Sequence, residues 1–208
     1  MNFENIIVSK KWGQEYCIYE NKDVSIWHLY INENQSTSLH SHPKKKTGLI
    51  VLAGGAILSF LKDTYKLYPL DKTILRAGVF HKTTAKVGDV ELLEIETPPD
   101  KLDLVRLEDC YGREGTPYEG PENYISTKID RLSLGETRFL GKCKLESGIS
   151  NLKDISFIQE NEIFIILKGQ IHRRGIVVAA PGDIFYKDTL ELMLSKFSVD
   201  GPIEYIVV

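Results

Sequence analysis

The sequence predicts an all-β chain folded as two small antiparallel β-barrels, and three observations carry that expectation. Short runs rich in Val, Ile, Leu, Tyr and Phe recur, each closed by Gly, Pro, Asn or Asp, which is the pattern of many strands joined by turns. Twice a β-branched run ends in glycine and leads at once into another strand, at 48–55 and at 162–170. The glycines Gly54 and Gly169 stand 169 − 54 = 115 residues apart, the signature of a duplicated unit. Between the halves, Pro98, Pro99, Pro117 and Pro121 together with Gly112, Gly115 and Gly120 break the rhythm.

The individual elements follow from these signals. Expected strands in the first half are 16–19, 24–31, 36–42, 47–52, 56–61, 64–69, 73–75, 79–85 and 91–96; extended helical periodicity is absent there. The second series is 126–132, 137–145, 155–159, 163–167, 170–173, 175–179, 183–186, 191–197 and 203–207. The expected organisation is a first barrel at 1–97, a connector at 98–124 with a short helix near 101–107, and a second barrel at 125–208. Closing each repeat into a barrel buries its apolar faces and removes exposed edges.

Composition narrows the function. With 42% hydrophobic residues the 208-residue chain can bury a core, and a net charge of −3 with both signs interspersed argues against nucleic acid as a partner. The N-terminal segment lacks a basic region followed by an apolar stretch, and the longest apolar run, 48–61, is broken by Gly54, Gly55 and Ser59. The expectation is a cytoplasmic protein that does not engage a membrane. Cys17, Cys110 and Cys143 are far apart with no CxxC pair, which supports neither a disulfide framework nor a thiolate zinc cluster.

Three of the five histidines stand in informative places. His40 and His42 flank Ser41 in a strand-like run, where positions i and i+2 share a face, so both imidazoles can converge on one ion. His81 follows about 40 residues later in another extended run, Ala77-Gly78-Val79-Phe80-His81. Side by side in an antiparallel barrel, the two strands supply three nitrogen ligands on one face.

At Leu39-His40-Ser41-His42-Pro43 through Gly54, and again at Gly78-Val79-Phe80-His81, the sequence resembles the two motifs of the cupin superfamily, G-x5-H-x-H-x3-4-E-x6-G and G-x5-P-x-G-x2-H-x3-N. The resemblance implies that the barrels are jelly rolls, that is, double-stranded β-helices. It also exposes departures: the metal-binding Glu of the first motif falls on Thr47 and its leading Gly on Asn34, while in the second motif the Pro falls on Arg76 and the Asn on Ala85. The ligand set carried over is therefore His40, His42 and His81 alone. Three neutral imidazoles would leave an ion its full charge and at least one open position, holding it more weakly than a four-ligand site.

Residues 10–120 are also similar to the cupin domain of type II mannose-6-phosphate isomerases and of related bacterial surface-sugar cupins. The likeness lies in Lys11-Trp12-Gly13-Gln14-Glu15, Leu29-Tyr30-Ile31, Gln35-Ser36-Thr37-Ser38-Leu39 and Asp103-Leu104-Val105-Arg106-Leu107-Glu108-Asp109-Cys110-Tyr111-Gly112-Arg113. In those isomerases the position of His40 is usually Gln, and their basic residue falls at Lys45. In the second repeat the two histidine positions become Ile155 and Phe157, which implies a metal-free barrel.

The resemblance implies a metal-dependent isomerase or epimerase acting on a sugar phosphate or nucleotide sugar in carbohydrate or surface-polysaccharide metabolism. It would use one divalent ion (Zn, Fe, Mn or Ni) and could pair as a homodimer. Isomerisation needs a base in the cavity, and Glu94 and Glu96, on the strand after His81, are the nearest carboxylates. Lys45, Arg76 and Thr47 are the candidate substrate-binding residues, the two cations as an anion clamp. Two alternatives stay open: a sugar-binding or regulatory cupin without turnover, and a ferrous-iron dioxygenase using the same three histidines.

Overall fold

The computed structural model describes residues 3–208. The first half runs β1 (Ile6–Lys10), β2 (Gly13–Glu20), β3 (Ser25–Ile31), β4 (Leu39–Ser41), β5 (Lys46–Ser59), β6 (Thr64–Leu67), β7 (Lys72–Leu75), β8 (Lys82–Thr97), β9 (Val105–Glu108) and β10 (Tyr124–Ser126). The second half runs β11 (Thr137–Leu140), β12 (Cys143–Ser150), β13 (Ile163–Arg173), β14 (Ile176–Ala179), β15 (Ile184–Tyr186), the helix α1 (Lys187–Leu194) and β16 (Ser198–Val207). Every strand pair is antiparallel, so the all-β expectation holds. Among the described residues no helix is long and apolar enough to cross a membrane.

The duplication is visible in the strand order. The first sheet reads β10-β1-β2-β3-β8-β5-β6 with β7 also on β5, and the second reads β11-β12-β16-β13-β14 with β15 on β13. The second thus repeats β2-β3-β8-β5-β6 strand for strand. In each repeat the long strand changes partner midway: β5 pairs first with β7 and then with β6, as β13 pairs first with β15 and then with β14. That switch folds a sheet back on itself, and it occurs around Gly54 (φ 79°) and Gly169 (φ 92°). A Cβ on Gly54 would lie 2.1 Å from the Asp89 carbonyl oxygen, so the close approach requires glycine there.

Strand alternation sorts the apolar residues into three layers. Leu49 and Val51 of β5 and Val90 and Leu92 of β8 face the interior of the first barrel with Trp27 and Leu29. Ile50, Leu52, Leu93 and Ile95 face the other way and pack on Ile163, Ile165, Leu167, Ile184 and Ile206 of the second sheet. Phe164, Ile166 and Ile203 then fill a third layer with Ile155, Ile158 and Leu190.

The repeats differ in how they close. In the first, β4 pairs with β9, and bridges at His40–His81 and Ser36–Thr84 complete a second face. In the second, α1 stands between β15 and β16, where residues 76–81 stand in the first. This corrects the expected strand at 191–197: Leu190 is buried, and Met193 and Leu194 pack beside it, a helical i, i+3, i+4 stripe. The expected strand at 155–159 is a turn that buries Ile155 and Ile158. The expected helix at 101–107 is a turn leading into β9, since pairing with β4 takes up the backbone of 105–108.

Candidate metal centre

His40 lies in β4 and His42 just beyond it, on the same face; His81 stands at the foot of β8. Reciprocal backbone bonds, His40 N–H to His81 O at 3.0 Å and His81 N–H to His40 O at 2.8 Å, hold the two segments in register. The ring centroids are 4.9 Å (His40–His42), 4.4 Å (His40–His81) and 5.4 Å (His42–His81) apart.

Each imidazole is oriented through Nδ1. His40 Nδ1 sits 2.8 Å from the Ser38 carbonyl oxygen, His42 Nδ1 2.6 Å from that of Asp103, and His81 Nδ1 3.0 Å from that of Val79. A carbonyl only accepts, so all three Nδ1 atoms carry the proton and all three Nε2 lone pairs are free, the arrangement usual around protein-bound metals. His42 Nε2 is buried with no hydrogen-bond partner. Glu94 completes the group: its Oε1 is 4.0 Å from His42 Nε2, and the donor atoms of His40, His42, His81 and Glu94 all lie within 4.8 Å of one another. Donors 2.1 Å from one ion at tetrahedral angles are about 3.4 Å apart, so the imidazoles would draw in by about an ångström to share a centre, with Glu94 beside them.

The electrostatics favour the metal-ready state. Burial, with the neighbouring His81 and His42 adding to it, holds the His40 pKa well below its usual value. Burial and then Lys45 push His42 down to about 3, and burial lowers His81. Burial pushes the Glu94 carboxyl up, but Lys101 and Lys45 outweigh it and hold Glu94 below the usual carboxylate value. Three neutral imidazoles and one carboxylate at neutral pH fit a divalent ion.

His40, His42 and Glu94 of this group line a cavity of about 50 Å³ whose other walls are mainly charged. Lys101 is its hub. The Lys101 ammonium lies 3.0 Å from both Glu94 Oε2 and Glu96 Oε1 and 3.7 Å from Glu15 Oε1, and it covers the Trp27 ring at 4.0 Å. Burial raises the Glu15 pKa, yet Lys10, Lys101 and a hydrogen bond from Tyr118 bring it down to about 2.

No protein-family model matches the chain, and no curated protein matches it. Solved structures do. One is an uncharacterized conserved protein with a double-stranded beta-helix domain from Klebsiella pneumoniae, at 16% identity and TM-score 0.42, covering 46% of this chain and 84% of that one. KdgF from a Halomonas species matches at 13% identity and TM-score 0.40, covering 46% and 82%. The capsular polysaccharide assembling protein CapF from Staphylococcus aureus matches at 15% identity and TM-score 0.44, covering 50% of this chain and 34% of its own.

The other candidate residues fall in different places. Lys45 is 1% exposed and lines the cavity, with its ammonium spent on Glu96 Oε1 at 2.7 Å and the Asp100 carbonyl at 2.9 Å. Glu96 also accepts from Ser25 Oγ at 3.1 Å. Thr47 stands opposite Glu96, its hydroxyl buried and without a partner, and does not line the cavity. Arg76 follows the buried Leu75 at the end of β7 and is exposed, away from the cavity, because strand alternation turns it outward. The carboxylate beside the histidines thus comes from β8 and not from the position of Thr47.

Sequence reasoning gave no role to Lys10, Glu15, Lys101, Arg106, Arg113, Tyr118 or Glu119, all of which line the cavity. Most belong to 98–124, whose Pro and Gly content resembles a linker. That segment instead carries β9, and Asp103 Oδ2 accepts from the backbone of Lys44 and Lys45 at 2.9 Å each.

Proposed function

We propose that the first repeat is a divalent-metal site acting on a sugar phosphate or nucleotide sugar by moving a proton next to a carbonyl, in cytoplasmic carbohydrate or surface-polysaccharide metabolism. The observation that carries this reading is the set of three Nε2 lone pairs, each fixed by a carbonyl on Nδ1, converging beside an ionised Glu94. His40, His42 and His81 would hold the ion, with Glu94 beside it as an unliganded carboxylate, and the ion when bound would supply Lewis acidity to a substrate carbonyl.

The chain's own residues do the rest. Glu94 Oε1 faces the histidines while Oε2 is held by Lys101, so Oε1 is the oxygen placed to take a proton from the carbon beside a carbonyl and return it to the neighbouring carbon. Lys101 keeps that carboxylate ionised and oriented. Glu96 lines the same cavity but is tied to Lys45, Lys101 and Ser25, and supports the site from its wall. On this reading residues 125–208 are a metal-free repeat that buttresses the first barrel.

The test is solvent deuterium exchange into a ketose or aldose phosphate by zinc- or manganese-loaded protein. Exchange that disappears in His42→Ala supports the enzyme. Thr47 at the position of the first motif's carboxylate, and a second repeat without metal ligands, favour a second reading, a sugar-binding module without turnover. Saturable sugar binding with no exchange would establish that one, and substrate-dependent oxygen uptake with ferrous iron would replace both.

A further inference from the structure

Beside the histidines the cavity has a second pole that none of the chemistry above uses. Glu119 points its carboxylate into three cations: it bonds the Lys10 ammonium, Arg113 Nη1 at 2.5 Å and Arg106 Nη2 at 3.2 Å. Side-chain exposure is 4% for Lys10, 3% for Arg106, 16% for Arg113 and 8% for Glu119. Arg106 is His40's direct partner in the β4–β9 pairing, so the two side chains leave the same face of adjacent strands. Arg106 Nε is buried and has no hydrogen-bond partner, a donor left over in the cavity wall.

We propose that Lys10, Arg106 and Arg113 form the subsite for the substrate's terminal oxyanion, a carboxylate or a phosphate, and that Glu119 is an internal stand-in which the substrate displaces. The inference rests on the sugar-processing reading of the same cavity and adds the group by which the substrate is held.

Three arguments support it. Two guanidiniums and an ammonium around one carboxylate make a geometry suited to oxyanions, and Arg106 has a further N–H to offer. A cavity of about 50 Å³ admits only a few waters, so a sugar-sized occupant has to displace a side chain. Glu119 is the one whose departure opens both space and charge: it sits in the loop between Gly115 and Gly120, outside any strand. Finally, the charges are balanced with Glu119 in place. The connected cations Lys10, Lys45, Lys101, Arg106 and Arg113 face Glu15, Glu94, Glu96, Asp109 and Glu119, five against five. With Glu119 out, five face four, and an incoming anion restores the balance.

The experiment is calorimetric titration of the full chain, zinc-loaded and zinc-free, with D-gluconate, D-glucose 6-phosphate and D-glucose. One or both anions should bind at least about tenfold tighter than glucose, the worth of one charge-assisted hydrogen bond. The tighter of the two identifies the oxyanion. Glu119→Ala should bind the anion about tenfold tighter than the unaltered chain, because its competitor is gone, and Arg113→Met about tenfold weaker. Zinc affinity at the histidines should stay unchanged in both variants. A gain in affinity cannot come from misfolding, so the Glu119→Ala arm decides. Equal binding of glucose and the anions, no gain in Glu119→Ala, or no binding of either anion overturns the subsite. Absence of zinc binding in the unaltered chain would instead strike the metal reading, and the zinc-free titration would still test the oxyanion subsite.

Discussion

The two repeats share a backbone plan and spend it differently. Positions 115 apart occupy the same places: Ile50 and Leu52, like Ile165 and Leu167, face the shared layer, while Leu49 and Val51, like Phe164 and Ile166, face their own interiors. Where the first repeat has His40 and His42, the second has Ile155, buried in its core, and Phe157, stacked on Tyr205 at 5.1 Å. Where β8 turns Glu94 inward opposite Leu49, β16 turns in Val207 opposite Phe164. The first interior sets a charged site beside its apolar core, and the second is filled with hydrocarbon. A buried charge network is weak evidence for stability, so the apolar repeat, sharing a face with the charged one, is where the fold's reserve lies.

Acid should separate the repeats most sharply. His40, His42 and His81 are all held below the usual histidine value by burial, so the unfolded chain takes up protons first as pH falls. The stabilising contribution is therefore complete above about pH 6.5 and is lost on acidification through the window down to the folded values. His42 alone, at about 3 in the folded state, should cost the apo protein roughly 2 kcal/mol between pH 7 and pH 5, with the other two adding in the same direction. Urea unfolding at a series of pH values measures the slope. A His40→Gln, His42→Gln, His81→Gln variant should flatten it, and an unchanged slope would mean the imidazoles are not buried as a group.

The second repeat should break through packing. Phe164 is fully buried, and Phe164→Ala should cost about 3–5 kcal/mol in urea unfolding, with little effect on metal affinity in the surviving folded fraction. Because Ile165 on the same strand contacts the shared layer, both halves should unfold together. Two separate transitions would show that the apolar repeat does not support the charged one.

Much of this division is legible in the sequence. The duplicated glycine-ended hairpins locate β5 and β13, and the i, i+2 spacing of His40 and His42 places them on one face. The partnership with His81 follows from strand pairing. The carboxylate was harder to assign because β8 is buried on both faces: Val90, Leu92, Leu93 and Ile95 are all apolar, so alternation alone does not tell which way Glu94 points. The roles of Lys101, Arg106, Arg113 and Glu119 were hidden by composition, since a Pro- and Gly-rich segment reads as a linker whether or not it folds back over a barrel. The helix α1 was masked by an apolar run short enough to suit either periodicity.

Within the charged repeat, metal affinity should distinguish the two inward carboxylates. Glu94→Gln should weaken zinc binding about 10–100-fold, as removal of a group at or beside the metal does, whereas Glu96→Gln should leave zinc affinity within about threefold. Competition titration against a zinc chelator reads both. Equal losses would mean that Glu94 stands no closer to the metal than Glu96 does and is one more member of the lysine network.

A loss at the low end of the Glu94 range is expected at Asp103, which touches the site from the segment with the composition of a linker. Its backbone carbonyl orients His42, and its side chain accepts from the Lys44 and Lys45 amides at 2.9 Å each. Asp103→Ala keeps the carbonyl but frees the loop that aims it, so zinc affinity should fall about tenfold, the low end for an outer-shell partner. Asp103→Asn, whose side-chain oxygen can still accept from the two amides, should recover most of that loss. If the alanine variant binds zinc as tightly as the unaltered chain, the orientation of His42 is set by strand pairing alone, and the segment between the repeats is less a part of the site than its contacts imply.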